Sequence, residues 1–406
     1  MLKRKRFPVR GTLARCVSLG LQRRSYWLAG IALSGLLSAC GGDGPTGIAA
    51  EGCGPLPYFT TLPVALADVD FIAVVGGLGA PGHTLPTAHA GFLLKTEGAS
   101  VFAPGDIQVS NVRRVTYLQS PNRQGERDYA LFFSVCKDVE GWLGHLTTLA
   151  PGIPDNAAGS NCQTYSTALE TVESCTENLS GFTLSAGQPI GTGGLSIEHG
   201  LMGLDFGLLD FRVDNFYVTP SRHPQNSFHA VCPYDYFDPT NRQALLARIR
   251  DGSRPNEVLT GEPRCGTMEV DVAGTAKGVW AEQGVTGQVQ GDETRYITLA
   301  NYPYNPQQKL ALSLGPVALG ARVAVVQRET SGRVNRAFEQ VAGDGLAYCY
   351  NTTDPSDFGF GSSWLVSLAS SGTLRMEWIQ HPGTPGPCVA DPTTWQFGAA
   401  AMSFVR

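Results

Sequence analysis

Glycine and proline interrupt this 406-residue chain so often that few apolar runs outlast a strand; it holds 49 glycines and 26 prolines. Between them stand short runs rich in Val, Ile, Phe, Tyr and Thr. Such runs, bounded by turn formers, read as strands rather than helices. In the first half they fall at residues 69–75, 91–94, 100–109 (a strand, a turn and a second strand), 112–119 and 128–137. They return over 182–209, broken by Gly191-Thr192-Gly193-Gly194. Residues 155–177 are polar, and the expectation there is an irregular surface insertion closed by Cys162 and Cys175. After Cys265 the rhythm restarts at 268–272, 294–300, 309–314, 321–327, 346–350, 364–369, 373–379 and 399–405. Only residues 241–251 carry convincing helical spacing, with Leu245, Leu246 and Ile249 on one face and Arg242, Arg248 and Arg250 outside it. The reading is a mainly β chain. A β domain over 57–240 leads through a helical linker, 241–267, to a second β domain over 268–406. With no long helix in it, that second domain is expected to be a barrel or a sandwich.

The first 39 residues hold eight basic side chains and no acidic one, followed by an apolar run over 26–37. The run is too short to span a bilayer and reads as an export signal. It ends in Leu37-Ser38-Ala39-Cys40, which resembles the lipobox of bacterial lipoproteins, where the chain is cut before the cysteine and the cysteine is lipidated. Gly41 follows in place of Asp, which in that class directs the protein to the outer membrane. Residues 40–56 are then a tether. Without the signal, the 30 basic residues fall to 22 against 35 acidic ones, a formal charge of −13. Such a surface repels phosphate backbones, so nucleic acid is not an expected partner.

Eight cysteines remain beyond Cys40. An even number in an exported chain reads as disulfides, and pairing each cysteine with its sequence neighbour gives Cys53–Cys136, Cys162–Cys175, Cys232–Cys265 and Cys349–Cys388. No Cys-x-x-Cys spacing suggests a zinc cluster. Six of the seven histidines lie between His83 and His229. Two of them, His83 and His89, frame a Gly/Pro-rich loop that runs into the strand at 91–94. A stiff loop on a rigid scaffold is a common place for a site.

Five fragments in order resemble the lysostaphin-like zinc endopeptidases of bacterial cell walls, which share the duplicated-hybrid-motif β fold. His89-Ala90-Gly91-Phe92-Leu93 stands where that family has His-x-Gly-x-Asp. Residues 101–109 match its strand and Ala-Pro turn. Leu143-Gly144-His145-Leu146 matches Tyr-x-His-Leu, Gly187-Gln188-Pro189-Ile190-Gly191 matches Gly-Gln-x-Ile-Gly, and Gly203-Leu204-Asp205-Phe206 matches the closing His-Leu-His-Phe. The resemblance spans residues 70–210. It implies zinc ligands at the places of His89, Leu93 and Asp205, and catalytic histidines at the places of His145 and Gly203. Leucine cannot bind a metal and glycine carries no imidazole, so the departures fall on the chemistry.

Two readings follow. In the first, the domain keeps the fold without catalysis or cofactor, and its cleft binds a peptidoglycan peptide or a protein of the envelope. In the second, His83 (or, less favourably, His199) joins His89 and Asp205 as a third zinc ligand in a hydrolase, with His145 handling protons. A second candidate cluster, His229, Asp235 and Tyr236, is expected either to line a cleft near His89 or to form a disulfide-pinned edge of the core. No Gly-x-Ser-x-Gly elbow supports a serine hydrolase. In the second domain, Gly278-Val279-Trp280 near the start and Arg406 at the end faintly resemble lipocalin-like barrels, in which a late arginine packs over the tryptophan. His381 stands alone in a Pro/Gly loop and is expected to be exposed.

Overall fold

The computed structural model describes residues 51–121, 123–155, 161–166, 171–196, 201–252, 259, 261–287, 289, 293–352, 360–381 and 386–406. Cys40 and His199 lie outside them. The chain is mainly β and builds two antiparallel sheets, the second nearly closed into a barrel.

The first sheet uses β1 (Val69–Ala73), β2 (His89–Leu94), β3 (Ala99–Phe102), β4 (Ile107–Gln119), β5 (Arg127–Cys136), β6 (Val139–Leu149), β7 (Cys162–Ser166), β8 (Thr171–Leu184), β9 (Pro189–Gly193), β10 (Leu195–Ser196) and β11 (Met202–Asp210). Its main order is β1-β2-β11-β6-β5-β4-β8-β7, with β9 joining β3 to β6 and β10 beside β11. Two expectations are corrected here. The strands expected at 107–109 and 112–119 are one, because a bulge at Ser110 carries β4 through without losing β5 or β8. Much of the expected irregular insertion is the β7–β8 pair: Cys162 and Cys175 stand directly opposite each other, so their disulfide staples a hairpin rather than closing a loop.

The core of this sheet lies under the aromatic residues Phe59, Phe206 and Phe237. Their rings meet at 5.1–6.2 Å, and burying each contributes about 1.5–3 kcal/mol. The helix α1 (Pro239–Leu246) starts two residues earlier than its apolar spacing suggests and ends sooner. Asp238 caps it by accepting from the backbone N–H groups of Thr240 and Asn241, and Pro239 fits the first turn. It stops because Arg248 and Arg250 exchange backbone hydrogen bonds with Ile72 of β1, which draws Ile249 out as an extended bridge.

The second sheet runs β12 (Gly278–Glu282), β13 (Tyr296–Asn301), β14 (Lys309–Leu314), β15 (Arg322–Gln327), β16 (Tyr348–Asn351), β17 (Ser362–Leu368), β18 (Leu374–Gln380) and β19 (Met402–Val405). Consecutive strands are neighbours, except that β19 pairs with β12 and leaves β15 and β16 as edges. Alternate residues, among them Trp280, Leu299, Leu312, Tyr350, Trp364 and Phe404, point inward and form one continuous apolar core. The Arg406 guanidinium lies 4.1 Å over the Trp280 ring and donates to the carbonyls of Val272 and Lys277. That is the contact expected of a late arginine. The strand expected at 268–272 is instead a loop. Its Asp271 carboxylate accepts from the backbone N–H groups of Val218 and Val279, which replaces ladder pairing. His381 is not simply exposed, since its Nε2 meets Ser363 Oγ at 2.8 Å.

All four neighbour disulfides are formed: Cys53–Cys136, Cys162–Cys175, Cys232–Cys265 and Cys349–Cys388. No helix among the described residues is long and apolar enough to cross a membrane.

Candidate functional site

Three adjacent strands of the first sheet bring the sequence-singled residues together. On β11, Asp205 stands opposite Gly91 of β2 and Gly144 of β6. Both neighbours are glycines, and a Cβ on Gly144 would sit 3.3 Å from the Asp205 carboxylate, so the glycine leaves room for it. His89 opens β2, opposite Gly207. His145 lies at a bulge in β6, where Ala130 of β5 faces both Gly144 and His145. Its φ of 61° is rare for a residue with a Cβ, and the bulge aims its ring away from the ladder.

The result is a connected row of imidazoles and carboxylates. His145 Nδ1 donates to Asp128 Oδ2 at 2.9 Å, and its Nε2 faces Asp205 Oδ2 at 3.4 Å. The other Asp205 oxygen faces His89 Nδ1 at 3.5 Å. The ring of His83 lies 6.0 Å from that of His89. Its loop is held from outside: the N–H of Leu85 donates to Glu293 Oε2, and the Leu85 side chain packs with Val279 and Tyr296 of the second sheet. His83, His89, His145 and Asp205, with Leu93, Arg123 and Tyr304, line a cleft of about 670 Å³.

Electrostatics follow from the geometry. Burial works against charge on His145, but Asp205 and Asp128 outweigh it and push its pKa up to about 9. Burial also raises Asp205, yet His89, His145, His83 and Arg113 together hold its carboxyl below the usual range. At neutral pH, His145 is therefore an imidazolium between two carboxylates. A group already protonated cannot accept a proton as a general base; it can donate hydrogen bonds and neutralise an anion.

The donor set does not fit a zinc centre. Three protein ligands must place donor atoms about 2.0–2.2 Å from one point. Among the described residues, His83, His89 and Asp205 do not bring three such atoms within 4.8 Å of one another. The trio that does, Cys162, Glu173 and Cys175, has its two sulfurs in a disulfide. Leu93 is buried and pairs with Gly203.

The second sequence-derived cluster is elsewhere. His229, Asp235 and Tyr236 are not among the residues lining the cleft. His229 Nδ1 donates to the Val213 carbonyl and its ring meets Phe211 at 5.1 Å. Asp235 pairs with Arg242 at the surface, and buried Tyr236 donates to Asp210. They form the edge of the core, because the Cys232–Cys265 disulfide ties this segment to Cys265 and an isolated bridge ties Phe237 to Phe59. Sequence reasoning missed Asp128, Arg123 and Tyr117, whose ring lies 4.1 Å from the Arg123 guanidinium. Asp128 and Tyr117 come near His145 or the cleft through strand register and Arg123 through the turn between β4 and β5, and no local motif marks them.

Fold and cleft together define a two-sheet β protein with a histidine–carboxylate site where three strands meet. No protein-family model matches the sequence, and no curated protein matches it. Among solved structures it is similar to Helicobacter pylori Csd3, at 13% identity over 38% of this chain and 32% of that one, with a TM-score of 0.22. The chain thus spans about a third of that protein's length. It is also similar to a zinc-containing peptidase from Vibrio cholerae, at 16% identity over 38% of each chain (TM-score 0.22), and to lysostaphin, at 10% identity over 73% of this chain and 80% of that one (TM-score 0.20). Likenesses this loose define no shared family, and the chemistry rests on this chain's own residues.

Proposed function

We propose that the protein is a lipid-anchored outer-membrane lipoprotein with a degenerate lysostaphin-like domain, whose cleft binds peptidoglycan peptide without cutting it. One observation carries the reading: both oxygens of Asp205, which stands where a metal ligand is expected, face imidazoles of the same cleft. A carboxylate so engaged, with Leu93 beside it, leaves a closed polar floor between apolar walls. Clefts that bind small peptides combine apolar lining with a few placed polar groups in this way. With two carboxylates, Asp128 and Asp205, against the one His145 imidazolium, the row suits a peptide amine or amide N–H. Leu37-Ser38-Ala39-Cys40 supports the anchor and the address.

The test is calorimetric titration of the purified chain with soluble peptidoglycan stem peptides, with and without chelator, followed by mass analysis of the peptide. The expected result is saturable binding, indifferent to chelator, with the peptide recovered whole. No binding, or cleavage that stops on chelation, would overturn the reading. The closeness of His83 to His89 favours one rival, a zinc hydrolase with His83, His89 and Asp205 as ligands. It requires the His83 loop to leave its contact with Glu293.

A further inference from the structure

Exposed apolar side chains stand on the loop after β11, and none of them lines the cleft. Phe211, Val213 and Phe216 are exposed on the loop after β11, and Phe216 keeps 59% of its surface in solvent. Leu56, also exposed, lies three residues beyond Cys53. The loop that displays them is built rather than loose. Val213 N–H donates to the Asp210 carbonyl, Asn215 N–H to that of Phe228, and Phe216 N–H to Glu269 Oε1. The Asn215 side chain reaches the carbonyls of Ser227 and Ala230. A backbone this well satisfied, holding large apolar side chains outward, offers a surface for something apolar.

Its position says what. Phe211 N–H donates to the carbonyl of Asp138, and one residue earlier Lys137 N–H donates to that of Glu51. Cys53 is bonded to Cys136 in the same turn. The patch and the entry of the chain therefore share one β5–β6 corner. Ten residues, 41–50, separate Glu51 from Cys40. Fully extended, the eleven steps from Cys40 to Glu51 reach at most about 40 Å. If Cys40 is lipidated, this corner stays within that reach of the bilayer, and docking of the patch becomes an intramolecular event. A patch too weak to bind from solution is then sufficient.

The local charge does not oppose contact with neutral lipid. Arg212 is paired with Asp210 and Lys137 lies beside Asp138, while Asp214 has His229 at 3.4 Å. We propose that Phe211, Val213 and Phe216 seat in the lipid interface and hold the domain against the membrane that carries its anchor. The proposal rests on the lipoprotein reading given above.

The experiment uses the full lipidated chain in phosphatidylcholine–phosphatidylethanolamine vesicles, with Phe216→Cys carrying a nitroxide. Phe211→Cys serves as a second site and Val317→Cys, exposed on the helical turn between β14 and β15, as control. The expected result is a severalfold loss of accessibility to a water-soluble nickel relaxant at 216 and 211, a gain in oxygen accessibility there, and neither change at 317. The mass of the mature chain reads the anchor separately. Acyl chains on Cys40 with nickel-accessible labels at 211 and 216 overturn the loop proposal and leave the anchor standing. A chain without acyl groups overturns both. Dipolar broadening between labels in vesicle-free detergent would assign the patch to a second copy instead.

Discussion

Replacing His145 with glutamine removes a group that pairs with both Asp128 and Asp205, and the size of the effect follows from its titration. The rise in pKa from 6.5 to about 9 corresponds to about 3 kcal/mol of preferential stabilisation of the charged form at most. A quarter of the side chain still meets solvent, so about 1–2 kcal/mol is the expected loss. The sign is set by the folded pKa lying above the unfolded one. Below pH 6.5 the imidazole is charged in both states and the whole contribution is present; it fades as pH rises through 9. On the acid side the Asp205 carboxyl, held low in the folded chain, keeps its share until pH falls below the ordinary carboxylate range. Urea unfolding of wild type and His145→Gln at pH 6, 8 and 10 reads this directly. Tyrosines and lysines titrating near pH 10 do so in both proteins and cancel in the difference. A gap that is large at pH 6 and mostly gone at pH 10 is expected. A gap that does not change with pH would refute the charged row of side chains.

Three further outcomes are expected. The double variant Leu93→Asp, Asp205→His restores the ligand pattern of the family that residues 70–210 resemble, and it should gain stoichiometric zinc by metal analysis; a variant that stays metal-free while folded would show that the strands no longer present that geometry. Removing the Cys349–Cys388 link, which closes a loop of sequence separation 39, should cost about 4 kcal/mol in denaturant unfolding, and an unchanged midpoint would contradict the loop-entropy account. Arg406→Ala loses the stack on Trp280 and leaves the Val272 and Lys277 carbonyls without that donor, so thermal unfolding should move down by the equivalent of about 1–3 kcal/mol; an unshifted melt would make the contact incidental.

What the sequence made legible was set by local physics. Glycine, proline and β-branched residues announce where strands start and stop, so β14 matches its expected range residue for residue, and β15, β17 and β18 lie within one or two residues of theirs. Pairing Cys162 with Cys175 succeeded because the antiparallel neighbours β7 and β8 place them side by side. The site divides differently. His89, His145 and Asp205 were visible through short motifs on their own strands. Asp128 was not, because it reaches His145 through the register of β5 on β6 and a bulge at Gly144 and His145, which no pattern along one strand displays. Residues 229–236 left two readings open because histidine, aspartate and tyrosine build a hydrogen-bonded core edge from the same side chains that build a binding site. Tyr236 needs a buried acceptor for its hydroxyl and finds it in Asp210.

The most direct test of the central claim is the zinc content of the chain purified without chelator. With Asp205 engaged by two imidazoles and Leu93 in place of a ligand, the account predicts well under one zinc per chain, unchanged by Asp205→Ala. One zinc per chain, lost in Asp205→Ala together with cleavage of cell-wall peptides, would contradict it and make the protein a hydrolase.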